Sequence, residues 1–519
     1  MNTLFSHRNF NARRRRTSAG GWGASPKFLR GALASLVCTA GIACGAGSTD
    51  GTSGEGDVDA STTPAPGSST SPAAPSATST SPAPATPKPD AGDAASSSRA
   101  KCGAAPYEWV TSNALGDVLE SQSKASHSIL ELNYVIIEAK RKKAFKSDRV
   151  AKHGTKSRLL RYQTQDRGAL IDATTLMAYP DKAGTYPILL VLHGTAGFTD
   201  ACAPSKGAAD DALGGFTDEV SVLLSLFASF GYVAVAPDYI GLKSLGAPTG
   251  FLHPYLVGEP TAIASLDAVR AAKKQLAGSN VTPGDVVVVG GSQGGHGAAF
   301  VNRYLPHYAP ELVIKGSVWD VPPTDILGQA LPALTSWRNA TKNMIAASTT
   351  YESWYKAAPN GLSSAFLAPY DTSIPAALAA SCSPSSAFNG ATLETLFQPA
   401  FVTAGRQPSF GGLSPWACYL AENSLPTTSV PKQDSIPSMF LLGENDELVD
   451  NTVERASFEK LCTQGHVLQY LECQGASHTK PLTYALDQWM TFLEDRLAGK
   501  PVTGTCTVKP AEKCTSTPD

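Results

Sequence analysis

The apolar positions of this chain repeat in two ways. In Tyr186 to Leu192 (YPILLVL), Tyr232 to Ala236 (YVAVA), Val286 to Val289 and Val313 to Trp319, aliphatic and β-branched residues run on with little polar interruption. In Glu219 to Phe230 and Pro260 to Leu276 they recur every three or four positions. Short unbroken runs predict strands buried on both faces, and the longer spacing predicts helices. Helix punctuation agrees, with Pro260 in a first turn and Gly231 and Gly278 just past helix ends. Strand and helix in alternation require crossover connections, which predicts a mostly parallel sheet with helices on both faces.

Upstream, residues 157–166 and 169–180 are strand-like and separated by Arg167-Gly168, which predicts an opening hairpin. The residues before them form a mixed lead-in, its basic Lys140–Lys146 run reading as a solvated face. Downstream, the alternation stops between residues 322 and 435, where Ala-, Ser- and Pro-rich sequence predicts an inserted, mainly helical cap. Trp337, Tyr351, Trp354, Tyr355, Phe366 and Trp416 within it read chiefly as the cap's own core, with a substrate wall as the alternative. A strand at Ser438–Leu442, a helix at Val453–Cys462, a strand at His466–Cys473 and a last helix through Leu497 then resume the pattern.

Composition separates the ends from this core. Arg13 to Arg16 precede an apolar run from Gly31 to Ala43, the order of a secretory signal, so residues 1–43 are expected to be a signal peptide. Cys44 follows Gly41, Ile42 and Ala43 and resembles a bacterial lipobox without its usual leucine; it reads either as a lipidated terminus or as an ordinary cysteine. Residues 44–100 are rich in Ser, Thr, Pro and Ala and have too little apolar surface to fold, so they read as a tether. A folded domain is expected over 101–500, with the cap inserted at about 322–435, and a cysteine-bearing tail over 501–519. With a net charge of −2 and no basic stripe past residue 160, nothing points to nucleic acid.

Beyond Cys38 and Cys44 an even set of cysteines remains, which after a secretion signal predicts disulfides. Proximity in sequence suggests Cys382 with Cys418 and Cys506 with Cys514. None has C-x-x-C or metal-ligand spacing, and no phosphate-cradling loop is visible; no metal and no cofactor are expected.

The candidate chemistry centres on Gly290-Gly291-Ser292-Gln293-Gly294, a G-x-S-x-G between the four-valine strand and a small-residue helix. A serine on such a turn is forced into a strained conformation with its hydroxyl exposed above the sheet. A hydroxyl is a poor nucleophile without a base in hydrogen-bond reach and an acid to orient that base. His478, in a loop after the final strand, is the base candidate. Asp446, inside the turn after Leu442, leads as the acid, with Glu444 and Asp450 as competitors. His296, His253 and His466 read as structural, as do His193 and Asp238. The glycines of His193-Gly194-Thr195-Ala196-Gly197 free backbone N–H groups to face a cavity, so the N–H groups of Thr195 and Gln293 are the oxyanion-hole candidates.

Taken in order, HGTAG, GYVAVAPDYIGL, HPYLVGEPTAIASLDAVRAA, GGSQGGHGA, PPTDI, GENDELV and GASH resemble the secretory-lipase branch of the α/β-hydrolases over residues 155 to 498. The resemblance implies an α/β-hydrolase fold and an extracellular lipase or carboxylesterase acting on small-molecule or lipid esters through Ser292, Asp446 and His478. A serine aminopeptidase or other amide hydrolase on the same fold, and an inactive hydrolase fold used for adhesion, are the alternatives. No protein partner is implied beyond envelope attachment through Cys44.

Overall fold

The computed structural model describes residues 101–207 and 219–519. The expected signal peptide, Cys44 and the tether lie outside the described residues. Nine strands form one sheet: β1 (Val118–His127), β2 (Thr155–Asp166), β3 (Ala169–Pro180), β4 (Gly184–Leu192), β5 (Val233–Pro237), β6 (Val281–Gly291), β7 (Ile314–Asp320), β8 (Ser438–Gly443) and β9 (Leu468–Cys473). Their order is β1-β2-β3-β5-β4-β6-β7-β8-β9. The first three strands and the β3/β5 contact are antiparallel, and from β5 onward every pairing is parallel. The expected hairpin at 157–166 and 169–180 is the β2/β3 pair.

Helices α1 (Ile129–Arg141), α2 (Glu219–Ser229), α3 (Gly258–Leu276) and α4 (Gln293–Tyr308) precede the cap. The valines of β6 explain its central place. Val286 and Val288 pack into the cluster with α3 and α4, while Val287 and Val289 face the opposite cluster with Leu224 of α2 and Trp489. A strand buried on both faces needs no polar alternation. In the lead-in, where the sequence reading assigned no element, the structure has β1 and α1. β1 is an edge strand with many exposed polar positions, so it lacks the apolar run that marks the central strands.

The cap is helical, as expected: α5 (Ile326–Thr335), α6 (Asn339–Tyr355), α7 (Tyr370–Ala380), α8 (Leu393–Leu396), α9 (Pro399–Gly405) and α10 (Trp416–Glu422). Tyr351, Trp354, Tyr355, Phe366 and Trp416 are buried in a core of its own, with Trp337 packed at its margin. After β8 come α11 (Asn451–Thr463), then β9, α12 (Pro481–Tyr484) and α13 (Leu486–Leu497).

The cysteines form four disulfides, and both suggested pairings are corrected. Cys418 bonds Cys102 and Cys382 bonds Cys202, while Cys506 bonds Cys462 and Cys514 bonds Cys473. Neighbours in sequence were the wrong guide, because the cap folds back on distant parts of the chain. Cys102–Cys418 ties the cap to the start of the domain, and Cys202–Cys382 ties it to the loop after β4. The tail runs beside β9: the Cys506 N–H donates to Leu468 O (2.8 Å) and the Glu512 N–H to Glu472 O (2.9 Å). Its two cysteines therefore meet partners on α11 and β9 and not each other.

Candidate active site

Ser292 lies between β6 and α4 with φ 55° and ψ −117°, a left-handed region that side chains other than glycine rarely enter. The turn is tight enough to demand glycine on either side. A Cβ at Gly290 would sit 2.1 Å from Gly294 O, and one at Gly294 would sit 2.0 Å from Leu192 O. The Ser292 N–H donates to Asp320 O on the neighbouring strand (2.9 Å), which fixes the turn to the sheet.

His478 Nε2 is 2.9 Å from Ser292 Oγ, and its Nδ1 is 2.8 and 2.9 Å from the two carboxylate oxygens of Asp446. All three residues meet at the carboxyl edge of the sheet, each from the loop after a different strand. Facing a carboxylate, which only accepts, Nδ1 must carry the proton and donate. That leaves Nε2 bare and able to accept from the serine hydroxyl. Asp446 is itself fixed: its Oδ1 accepts from the N–H groups of Leu448 and Val449 (both 2.9 Å). The His478 N–H donates to Glu447 Oε2 (3.0 Å).

The competing carboxylates are engaged elsewhere. Glu444 accepts from the Gly475 N–H (2.7 Å), and Asp450 caps α11 by accepting from the Thr452 N–H (2.9 Å). Asp238 ties down two loops, accepting from the Ser205 N–H and hydroxyl and from Thr174 Oγ1. Four other histidines are hydrogen-bonded to the frame, His253, His296 and His466 buried and His193 half-buried. His193 donates from Nδ1 to Gly194 O, His253 from Nδ1 to Ile240 O, and His296 from Nε2 to Asn423 O. His466 accepts from Arg303. Burial holds His193 and His296 down to about 4 and His253 to about 3, and burial with the Arg303 and Lys432 charges holds His466 to about 3.

The oxyanion candidates flank the same place. Gln293 opens α4, so its N–H belongs to the first turn and has no partner within the helix. Its side-chain amide donates to His253 Nε2 (2.6 Å), which pins the residue. Thr195 follows β4, and its hydroxyl is 3.0 Å from that of Tyr255. Among the described residues no acceptor meets the N–H of either Gln293 or Thr195.

A cavity of about 50 Å³ opens at Ser292 and Gln293, walled by Tyr255, Leu256, Ile326, Met344 and Leu448. None of the six cap aromatics singled out in the sequence lines it; Tyr255, before α3, does. The reading also passed over Asp320, at the end of β7 beside Gly291. Its carboxyl is buried without a hydrogen-bond partner among the described residues, and burial with the nearby Asp446 charge pushes its pKa well up. An acid closing an apolar strand was the available signal.

A family model described as secretory lipase matches residues 215–332. No match was found among curated proteins. Among solved structures, the ligand-bound form of the rice cell wall degrading esterase LipA from Xanthomonas oryzae superposes with a TM-score of 0.58 at 20% identity, covering 75% of this chain and 100% of that one. Candida antarctica lipase A in its closed state gives 0.57 at 16% identity, covering 77% and 86%. A putative hydrolase from Legionella pneumophila gives 0.55 at 17% identity, covering 74% and 100%. These likenesses establish the fold, that of the lipase and esterase structures it superposes on, and the segment that resembles the secretory lipase model contains Ser292.

Proposed function

We propose that the chain is a serine hydrolase of carboxylic esters that works outside the cytoplasm. The observation that carries this reading is the unbroken path from Ser292 Oγ through His478 to the Asp446 carboxylate, with contacts of 2.9 and 2.8 Å. The secretory lipase match supports ester hydrolysis independently of that path.

In the proposed cycle His478 Nε2 takes the Ser292 proton as Oγ attacks the ester carbonyl. The imidazolium is stabilised by Asp446, which keeps its charge throughout. The oxygen of the tetrahedral intermediate is held by the N–H groups of Gln293 and Thr195, and losing one such donor typically costs about a hundredfold or more in rate. The imidazolium then returns the proton to the leaving alcohol, and Ser292 is left acylated. Water, deprotonated by His478, attacks the acyl-enzyme, releases the carboxylic acid and restores the serine.

Four disulfides and the signal-like N-terminus favour an oxidising compartment. Envelope attachment through an acylated Cys44 belongs to the same proposal. The deciding experiment compares p-nitrophenyl esters of graded acyl length with aminoacyl and dipeptidyl anilides on the purified chain. Ester turnover abolished by Ser292→Ala supports the proposal. Anilide turnover that far exceeds ester turnover would assign the site to amide hydrolysis instead.

A further inference from the structure

The outer face of α1 carries an apolar stripe that none of the described residues covers. Leu132, Val135, Ile136 and Ala139 form the inner face and pack with Val222 and Leu226 of α2. On the opposite side Leu130, Tyr134 and Ile137, spaced i, i+4, i+7, are 82, 50 and 60% exposed. Asn133, on the flank of this face, exchanges two hydrogen bonds with Ala151 (2.9 and 3.4 Å), which brings the half-exposed Val150 alongside. The stripe is therefore a ridge of large side chains over which none of the described residues forms a layer.

Its continuation is basic. One turn on from Ile137 the same stripe meets Arg141, and Lys140, Lys142, Lys143 and Lys146 cluster around the end of the helix. Arg141 pairs with Glu138, and Asp519 offsets Lys146. Among the described residues Lys140 and Lys142 make no ion pair. The helix is also locally self-sufficient: Ser128 and Glu131 close a capping box at its start, and Lys140 and Arg141 complement the dipole at its end.

We infer that this face docks on a lipid bilayer bearing anionic headgroups. A helix with one apolar face and basic residues at its edge lies in the plane of such an interface, apolar side chains in the acyl boundary and cations among the phosphates. Tyr134 suits the headgroup level, where its ring is covered and its hydroxyl stays wet. Lysine and arginine stems reach along the apolar layer while their charges remain in water. A ridge fits a deformable surface, and its charge is complementary to an anionic one. Attachment through a lipidated Cys44, proposed above, would be a separate anchor. The inference concerns α1 and stands without that anchor.

The test uses the full chain with Cys44→Ala, so that acylation does not contribute, and sediments it with phosphatidylcholine vesicles with and without phosphatidylglycerol. Partitioning should favour the anionic vesicles and weaken with salt. It should fall about tenfold or more in the Leu130→Ser/Tyr134→Ser/Ile137→Ser variant. Lys140→Gln/Lys142→Gln should remove the anionic preference and leave the weaker binding. Thermal unfolding checks that each variant is folded, so the outcome does not depend on whether the chain hydrolyses esters. Equal partitioning of parent and triple-serine chains overturns the inference. So does a concentration-dependent dimer that the triple variant abolishes, because the face would then be covered by a second copy.

Discussion

Nε2 of His478 lies 2.9 Å from Oγ of Ser292, although 186 positions separate them in the chain. A parallel sheet produces this meeting, because the carboxyl ends of its strands share one edge. The account of function rests on that juxtaposition and on the acid behind it.

The three late carboxylates should separate cleanly. Asp446→Asn leaves the geometry but lets the imidazole take the wrong tautomer, and kcat should fall about ten-thousandfold. Glu444→Gln should change kcat by less than about tenfold, since that carboxylate only accepts from the Gly475 N–H. Asp450→Ala should cost about 1 kcal/mol in stability through the lost α11 cap, with kcat changed much less than by Asp446→Asn. Steady-state kinetics and urea unfolding on the three variants check the assignment.

Acid should destabilise the fold below about pH 6.5, the ordinary histidine value. His193, His253, His296 and His466 have folded-state values depressed to about 3 or 4. Their unfolded counterparts therefore bind protons first as pH falls. Stability is complete above the unfolded value and is lost between there and the folded values, by up to about 1.4 kcal/mol per pH unit for each group. His466→Gln should flatten that decline in a Tm-against-pH series.

Glu454 should act at the other end of the scale. Burial raises its carboxyl to about 8, so its neutral form fits the fold. For a raised value the sign is reversed: stability is full below the unfolded carboxylate range and declines as pH rises towards 8. Glu454→Gln, which keeps a neutral side chain beside Thr324 and Gln329, should raise Tm at pH 9 more than at pH 5. An unchanged difference between the two pH values would contradict this.

The wall of the cavity should set acyl length. With about 50 Å³ free beside Ser292, the chain is expected to turn over short acyl esters fastest. Met344→Ala removes most of one wall residue and should move the optimum of a p-nitrophenyl ester series towards longer chains, while Ala347→Phe, at another position on the cavity wall, should move it the other way. An optimum that both substitutions leave in place would show that the acyl group lies elsewhere.

Much of this was legible in the sequence where local chemistry dictates structure. The valines of β6 and the glycines around Ser292 specify a buried strand and a turn too tight for other residues, and both elements formed as expected. The cap was readable as an insertion because the strand–helix alternation stops. Edges and long-range pairings were not. β1 and α1 escaped notice because β1 alternates exposed polar residues, although the Ser128–Glu131 capping box did mark the start of α1. Cys102 and Cys418 are 316 positions apart, and only the folded cap brings them together. Asp320 lacks any motif, since what distinguishes it is burial beside Asp446.

The most direct test treats the intact protein with a fluorophosphonate and maps the adduct by peptide mass spectrometry. The account predicts a single phosphonylated residue, Ser292, with labelling lost in His478→Ala and absent in a still-folded Ser292→Ala chain. A folded protein that reacts at another serine, or at Ser292 equally well without His478, would contradict it.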